Sequence, residues 1–296
     1  MTKPAPKYLP ALLACLLTLS LSWTLMAGEF KATFIYSLSN FYGPRPFDGA
    51  KLCLDHSRQE IYALSRDTVA VFNNAGMEIY RFDQDPAIGT FLDIAFTSDN
   101  KMIVLATKEQ RSHLAVCNFR GELRGEIRLA GLPTEYAEFS PNRILARNEK
   151  LYLTSYTGMQ TVITDEQGNF IKGHDLIKDL NLTEEQRSNT GLGGFDVDRE
   201  GSMYFSLPAI ASIFVLSTDG KSRGFGKRGS IAGRFGVNSG VAVDRDGNIL
   251  VTDKLRTVVI VFNKEFKLIT EFGKRGFGPG DLIVPDAILV DGSNKV

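Results

Sequence analysis

Three histidines, a set of aspartates at one repeated position and a group of basic residues are the side chains whose types bear on chemistry in this 296-residue sequence. A zinc or calcium centre needs several imidazoles, carboxylates or amides brought to one point. The histidines are His56, His113 and His174; the aspartates Asp198, Asp244 and Asp291 each end an apolar run and precede a turn. In such turns a carboxylate commonly bonds local backbone N–H groups, which accounts for them without a metal. The basic residues Lys227, Arg228, Lys274 and Arg275 lie in a segment that occurs twice: Phe225-Gly226-Lys227-Arg228-Gly229 returns as Phe272-Gly273-Lys274-Arg275-Gly276. Clustered cations meet acidic surfaces or anionic ligands by charge complementarity. No nucleophile elbow, phosphate loop, paired-cysteine motif or haem-attachment motif is present. Gly273 to Gly280 is glycine-rich, but it leads into a strand and lacks the helix start a phosphate cradle requires.

The elements that carry these residues repeat. A segment recurring after 47 residues marks a repeat architecture. In the clearest unit, Gly240 to Asp244 reads as a short strand, Arg245-Asp246-Gly247 as a tight turn and Asn248 to Thr252 as a second strand. Asp253 to Arg256 is a loop, Thr257 to Phe262 a third strand and Phe266 to Phe272 a fourth. Four short strands per period with turn residues between them describe one blade of an all-β propeller. The same pattern runs back through units opening at Phe195, Ile144, Leu92 and Lys51, and a sixth opens at Asp286. Six four-stranded blades are therefore expected, the last incomplete: Lys31 to Leu38 would supply its outer strand and the C-terminal residues its inner strands. A truncated product or an incomplete closing blade would each explain the missing strand, truncation being favoured. His174 to Gly193 is long for a blade connection, and Leu182-Thr183-Glu184-Glu185-Gln186 carries the signature of a capped surface helix.

The best-defined unit resembles an NHL repeat. Val243-Asp244-Arg245-Asp246-Gly247-Asn248, Val251-Thr252-Asp253, Val261-Phe262 and Phe272-Gly273-Lys274-Arg275-Gly276 follow that family's pattern in order. The resemblance is strong over roughly residues 193–296 and faint before them. It implies a six-bladed propeller, and exported bacterial versions look mostly like binding scaffolds. Where the family often has an Asn and then an Arg before the third strand, this chain has Arg256 and Val258. The only Trp, Trp23, lies near the N-terminus, which argues against WD-type and kelch-type propellers.

In a propeller, the loops between blades and those between second and third strands gather at one end. That places Lys227, Arg228, Lys274 and Arg275 with Arg66, Lys108, Arg111, Asp253, Lys254 and Arg256 on one basic, ligand- or partner-binding face, unless they are ordinary solvated loop charges. The expected partners are an envelope or extracellular protein, a peptide or an anionic ligand. The alternative is a metal-dependent lyase or lactonase-like hydrolase with Ca or Zn in the channel; against it, the three histidines fall at three different blade positions. A third alternative is a product whose ring cannot close and which no longer functions. No catalytic residue, metal site or cofactor is assigned. The 34 basic and 34 acidic residues balance, which excludes the basic excess of a nucleic-acid binder.

Residues 1–27 look like an export signal, with Lys3 and Lys7 before an apolar run from Leu9 to Met26 and Ala27-Gly28 for cleavage. The mature chain would be periplasmic or extracellular. An uncleaved run over 9–26 would instead anchor residues 28–296 to the inner membrane. Cys53 and Cys117 could pair in an oxidising compartment; buried thiols acting as small hydrophobes are the favoured account.

Overall fold

The computed structural model describes residues 30–44, 49–187 and 190–296, so the expected signal or anchor over 1–27 lies outside the described residues. A short hairpin, β1 (Ser39–Asn40) and β2 (Gly43–Pro44), precedes the first blade. That blade is β3 (Lys51–Asp55), β4 (Glu60–Ser65), β5 (Thr68–Phe72) and β6 (Glu78–Asp83). The second is β7 (Thr90–Phe96), β8 (Met102–Lys108), β9 (Arg111–Cys117) and β10 (Leu123–Ile127). The third is β11 (Arg143–Arg147), β12 (Lys150–Ser155), β13 (Gln160–Asp165) and β14 (Phe170–Asp175). After helices α1 (Leu176–Asp179) and α2 (Glu184–Arg187) come β15 (Gly194–Val197), β16 (Met203–Leu207), β17 (Ser212–Leu216) and β18 (Ser222–Phe225). The fifth blade is β19 (Asn238–Val243), β20 (Ile249–Asp253), β21 (Val258–Phe262) and β22 (Leu268–Phe272). Each blade is a four-stranded antiparallel meander in chain order.

The burial pattern explains why these runs form strands. Second strands such as β8, β16 and β20 and third strands such as β21 are buried along most or all of their length, because a neighbouring blade covers each sheet face. Their sequences accordingly read as continuous apolar runs. Outer strands are mostly exposed, as in β10. The core is divided among the blade interfaces. Tyr62, Val69 and Phe82 of the first blade pack with Ile94, Met102 and Cys117 of the second. Ala95, Leu105 and Leu114 meet Ile144 and Leu153 of the third, and Tyr204, Ile213 and Val215 of the fourth meet Val241, Ile260 and Phe262 of the fifth. Each fully buried Leu, Ile or Phe contributes about 1.5–3 kcal/mol. No sheet buries both faces alone, so stability rests on blade-to-blade contact.

The expectation of six blades is corrected to five. Among the described residues no sixth four-stranded sheet forms. Asp286 does reach β19, its carbonyl accepting from Gly240 N at 2.8 Å, and Ile288, Leu289 and Val290 line the same axial cavity as the inner strands. The expected outer strand over 31–38 is not assigned as a strand. It passes near Gly280 through Phe34, and Ser39 N donates to Gly76 O of the first blade at 2.8 Å. A strand exists by pairing with a neighbour, and no described segment lies between the inner and outer pieces to pair with both.

The insertion forms as expected. Gln186 Oε1 accepts from Thr183 N at 2.9 Å and Thr183 Oγ1 from Gln186 N at 3.3 Å. Leu176, Leu180 and Leu182 bury themselves between the third and fourth blades.

Candidate functional site

The antiparallel order sets all inter-blade loops and all second-to-third-strand loops at one end of the sheets. The recurrent Phe-Gly of this face is a backbone requirement. Gly226 has φ +119° and Gly273 φ +86°, and a Cβ on Gly226 would lie 2.6 Å from Ala211 O.

The basic residues expected here divide into two groups. Several serve the loops themselves. Arg228 donates to the carbonyls of Ala209 (2.9 Å), Gly236 (3.1 Å) and Pro208 (3.3 Å), tying an inter-blade loop to the fourth blade. Arg256 grips Glu271 with two bonds of 2.8 and 2.6 Å and donates to Arg234 O at 2.7 Å. Asp253 is fully buried and accepts from the backbone N–H groups of Gly236, Val237, Leu255 and Arg256. Lys108 Nζ donates to Ala87 O at 2.7 Å. Arg66, Arg111, Lys227 and Arg275 are exposed, and Lys274, 80% exposed, lies 3.8 Å from Asp281. Large apolar side chains stand among them: Ile231 is 63% exposed, Leu255 72% and Phe277 97%.

Lys254 belongs to a different cluster, at the mouth of the axial channel. Its Nζ lies 2.7 Å from Asp286 Oδ1, which also accepts from Ser239 Oγ at 2.5 Å. Burial works against the Asp286 carboxylate, but the Lys254 and Ser239 bonds outweigh it and hold it below its ordinary range. Nearby, Arg143 Nη1 donates to Asp93 Oδ1 at 3.0 Å, and Asp93 Oδ2 accepts from Ile144 N at 2.8 Å. Asp93 is fully buried, and burial pushes its carboxyl upward against the pull of Arg143 and the backbone. Lys51 completes the group, its Nζ 5.3 Å from the centre of the Tyr156 ring. Burial, then the Arg143 charge, lowers the Lys51 pKa, while burial pushes Tyr156 up to about 12.

Lys51, Asp93, Arg143 and Asp286 escaped the sequence reading. The usable signal was a charged residue within or next to the first strand of a repeat, where apolar residues otherwise prevail. A register shift between Phe91 and Asp93 interrupts the β7–β8 pairing and is invisible in sequence.

Below the mouth lies a cavity of about 100 Å³, lined by Cys53, His56, Arg143, Arg147 and Asp196 among apolar inner-strand residues. Arg147 is 3.8 Å from Asp196, which accepts from Val243 N at 2.8 Å. Of the histidines, His56 lines this cavity, His113 lies on β9, and His174 on β14 meets Asp179 at 2.6 Å. Among the described residues no three His, Cys, Asp or Glu side chains gather as a metal-ligand group. The donor set does not fit a divalent cation, since guanidinium groups line the cavity and backbone N–H groups engage its carboxylates. Asp198, Asp244 and Asp291 accept backbone N–H bonds in their own turns. Gly220 to Gly224 matches G-x-S-x-G in letters, but Ser222 opens strand β18 and no helix follows it. Cys53 and Cys117 are both free thiols, raised to about 12 by burial.

One stability consequence is measurable. Between the lowered folded pKa of Lys51 and its ordinary 10.5, the unfolded chain binds more protons, so folding gains from rising pH. Below the folded value the full penalty of the buried ammonium remains. The stability advantage expected for Lys51→Met over wild type should therefore shrink in urea melts run from about pH 7 to about pH 10. A constant difference would show that Lys51 is solvated.

No protein-family model matches the chain, and no curated protein matches it. Solved structures do share its architecture. Virginiamycin B lyase from Staphylococcus aureus has 12% identity and a TM-score of 0.52, over 80% of this chain and 72% of that one. A nidogen/laminin complex matches with 15% identity and a TM-score of 0.55, over 81% and 83%. A protein of unknown function from Bacteroides thetaiotaomicron has 15% identity and a TM-score of 0.58, over 90% and 67%. At these identities the likeness speaks to fold alone, and together with the five radial sheets it makes this chain a β-propeller.

Proposed function

We propose that this chain is an exported propeller of the NHL type that works by binding, holding an acidic envelope or extracellular protein or peptide on its loop face. The observation that carries this reading is the pairing of exposed apolar side chains with exposed cations at one end of the sheets. Ile231, Leu255 and Phe277, like Lys227, Lys274 and Arg275, are exposed in the loops at that end. Exposed apolar groups rimmed by charge are the mark of an interaction surface. The fold supports it, because a rigid ring of sheets presents many loops at fixed spacing and loop sequence selects the ligand. The structural likeness to a chain in the nidogen/laminin complex is consistent with protein binding.

The test is capture of partners from an envelope fraction by wild type and by a variant carrying Arg66→Ala, Lys227→Ala, Lys274→Ala and Arg275→Ala. Among the described residues these cations make no hydrogen bond to the loops, and the one ion pair among them, Lys274 with Asp281 at 3.8 Å, is solvent-exposed on the lysine side, so the fold should survive. Capture is expected to fall about tenfold and to weaken with salt in the wild type. Undiminished capture would remove the basic face from the proposal. Fractionation, with the mature N-terminus sequenced, tests export: cleavage is expected to leave Gly28 first.

The second reading, a lyase, rests on the lyase among the structural neighbours. The guanidinium groups of Arg143 and Arg147 that line the channel cavity disfavour the metal such a reading needs. Tightly held stoichiometric Ca or Zn in the purified protein would revive it.

A further inference from the structure

We propose that the mouth of the axial channel is a binding site for a single carboxylate group, received by the Lys51 ammonium beside Arg143 and Lys254. This goes beyond the loop-face reading, since it concerns the axis and can hold or fail without it.

Charge pairing is the first argument. The charges that act on Lys51 are those of Arg143, Lys254, Asp93 and Asp286, so three cations meet two carboxylates. Both carboxylates are taken: Asp93 by Arg143 and the Ile144 amide, Asp286 by Lys254 and Ser239. Lys51 is the cation left over. Its side chain makes no hydrogen bond or ion pair among the described residues, and its neighbour is the face of Tyr156. An ammonium partly withdrawn from water, with a ring face beside it and no acceptor, is unfavourable, and an incoming anion would repair it.

Orphaned donors are the second argument. Arg143 Nε and Arg147 Nε are buried and have no acceptor, and both residues line the axial cavity. Buried N–H groups are rarely left unmade unless a ligand or water completes them. The two stand at opposite ends of β11, so it is the Arg143 donor, whose charge Lys51 feels, that an oxygen acceptor at the mouth would complete.

Size and charge then select the ligand. The cavity next to the mouth, which Arg143 lines and Lys51 and Lys254 do not, measures about 100 Å³ and has room for a few water-sized groups. It accepts a carboxylate and not a sugar or nucleotide. The excess of one positive charge matches a monoanion and leaves the second charge of a phosphomonoester uncompensated. The carboxylate has two sources of the same chemistry: a free small acid, or the C-terminus of a peptide lying across the loop face.

The test uses the purified full chain, with acetate, acetyl-trialanine and acetyl-trialanine amide as probes. Binding is followed by calorimetry and by the shift in melting temperature against chloride at equal ionic strength. Wild type is expected to respond to acetate. Lys51→Met should lower the affinity about tenfold or more, Lys51→Arg should retain most of it, and Lys264→Ala, in the exposed turn between β21 and β22 at the other end of the sheets, should match wild type. Lys51→Met is expected to fold, because it removes a side chain that makes no hydrogen bond. Tighter binding of the peptide acid than of acetate would assign the carboxylate to a peptide terminus; equal binding would assign it to a free acid. A wild type that does not distinguish acetate from chloride, a Lys51→Met that responds like wild type, or an amide that binds as well as the acid would each overturn the proposal.

Discussion

Asp93→Ala is expected to destabilise the protein by about 3–5 kcal/mol, the largest effect of any single substitution at the channel. The carboxylate is fully buried and is the direct ion-pair partner of Arg143. Removing it leaves a guanidinium in a low-dielectric site and strips the Ile144 amide, on the first strand of the next blade, of its acceptor. The second half of the expectation separates a charge effect from a packing effect. Joining Asp93→Leu to Arg143→Met removes both charges and fills the space with apolar atoms, so the double variant should recover most of the loss. Urea unfolding of the single and double variants measures both. If Asp93→Ala costs under about 1 kcal/mol, the pair is solvated and the channel mouth is wetter than the burial implies.

The next largest loss is expected at Asp253. Its two carboxylate oxygens accept from Gly236 N at 2.6 Å, Val237 N at 3.2 Å, Leu255 N at 3.1 Å and Arg256 N at 2.9 Å. One side chain thus joins the loop arriving from the fourth blade to the loop leaving β20. Asp253→Ala should cost about 2–4 kcal/mol, since several amides lose their acceptor and only some can turn to water. Asp253→Asn keeps an oxygen acceptor and should cost roughly half as much. Thermal unfolding of the two variants checks the order; equal losses would show that charge, not acceptor geometry, matters. Loss of partner binding by Asp253→Ala would accordingly report a disordered loop, and Lys227, Lys274 and Arg275 are the residues whose replacement tests the face itself.

Local features were legible in the sequence because their physics is local. The runs read at Thr257–Phe262 and Leu151–Thr154 became the third strand Val258–Phe262 and the second strand Lys150–Ser155 of their blades. Thr183 and Gln186 made the reciprocal cap their spacing implied. Asp244 bonded the amides of Asp246 and Asn248 within its own turn. The end of the molecule at which each loop emerges also followed, since a four-stranded meander alternates direction without exception.

Two things were not legible. One was the number of complete sheets. Asp286 to Asp291 has the wording of an inner strand and Lys31 to Leu38 that of an outer one, yet five sheets form, because a strand is a relation between two segments and not a property of one. The other was the fate of individual charges. Whether Arg228 reaches solvent or the carbonyl of Ala209 depends on where the fourth blade's second turn lies in space. Lys51, Asp93, Arg143 and Asp286 come from different repeats and meet only at the axis.

By itself, then, the order of residues determined the repeating unit, the strands of its clearest copy to within about two residues, its turn chemistry and the end from which the basic loops emerge, all set by interactions spanning a few tens of residues. Only the tertiary structure decided which cations are consumed in holding loops, which remain exposed, and that one ammonium at the channel mouth lacks a partner. Those outcomes depend on distances between blades far apart in sequence, and electrostatic pairing and desolvation act through such distances.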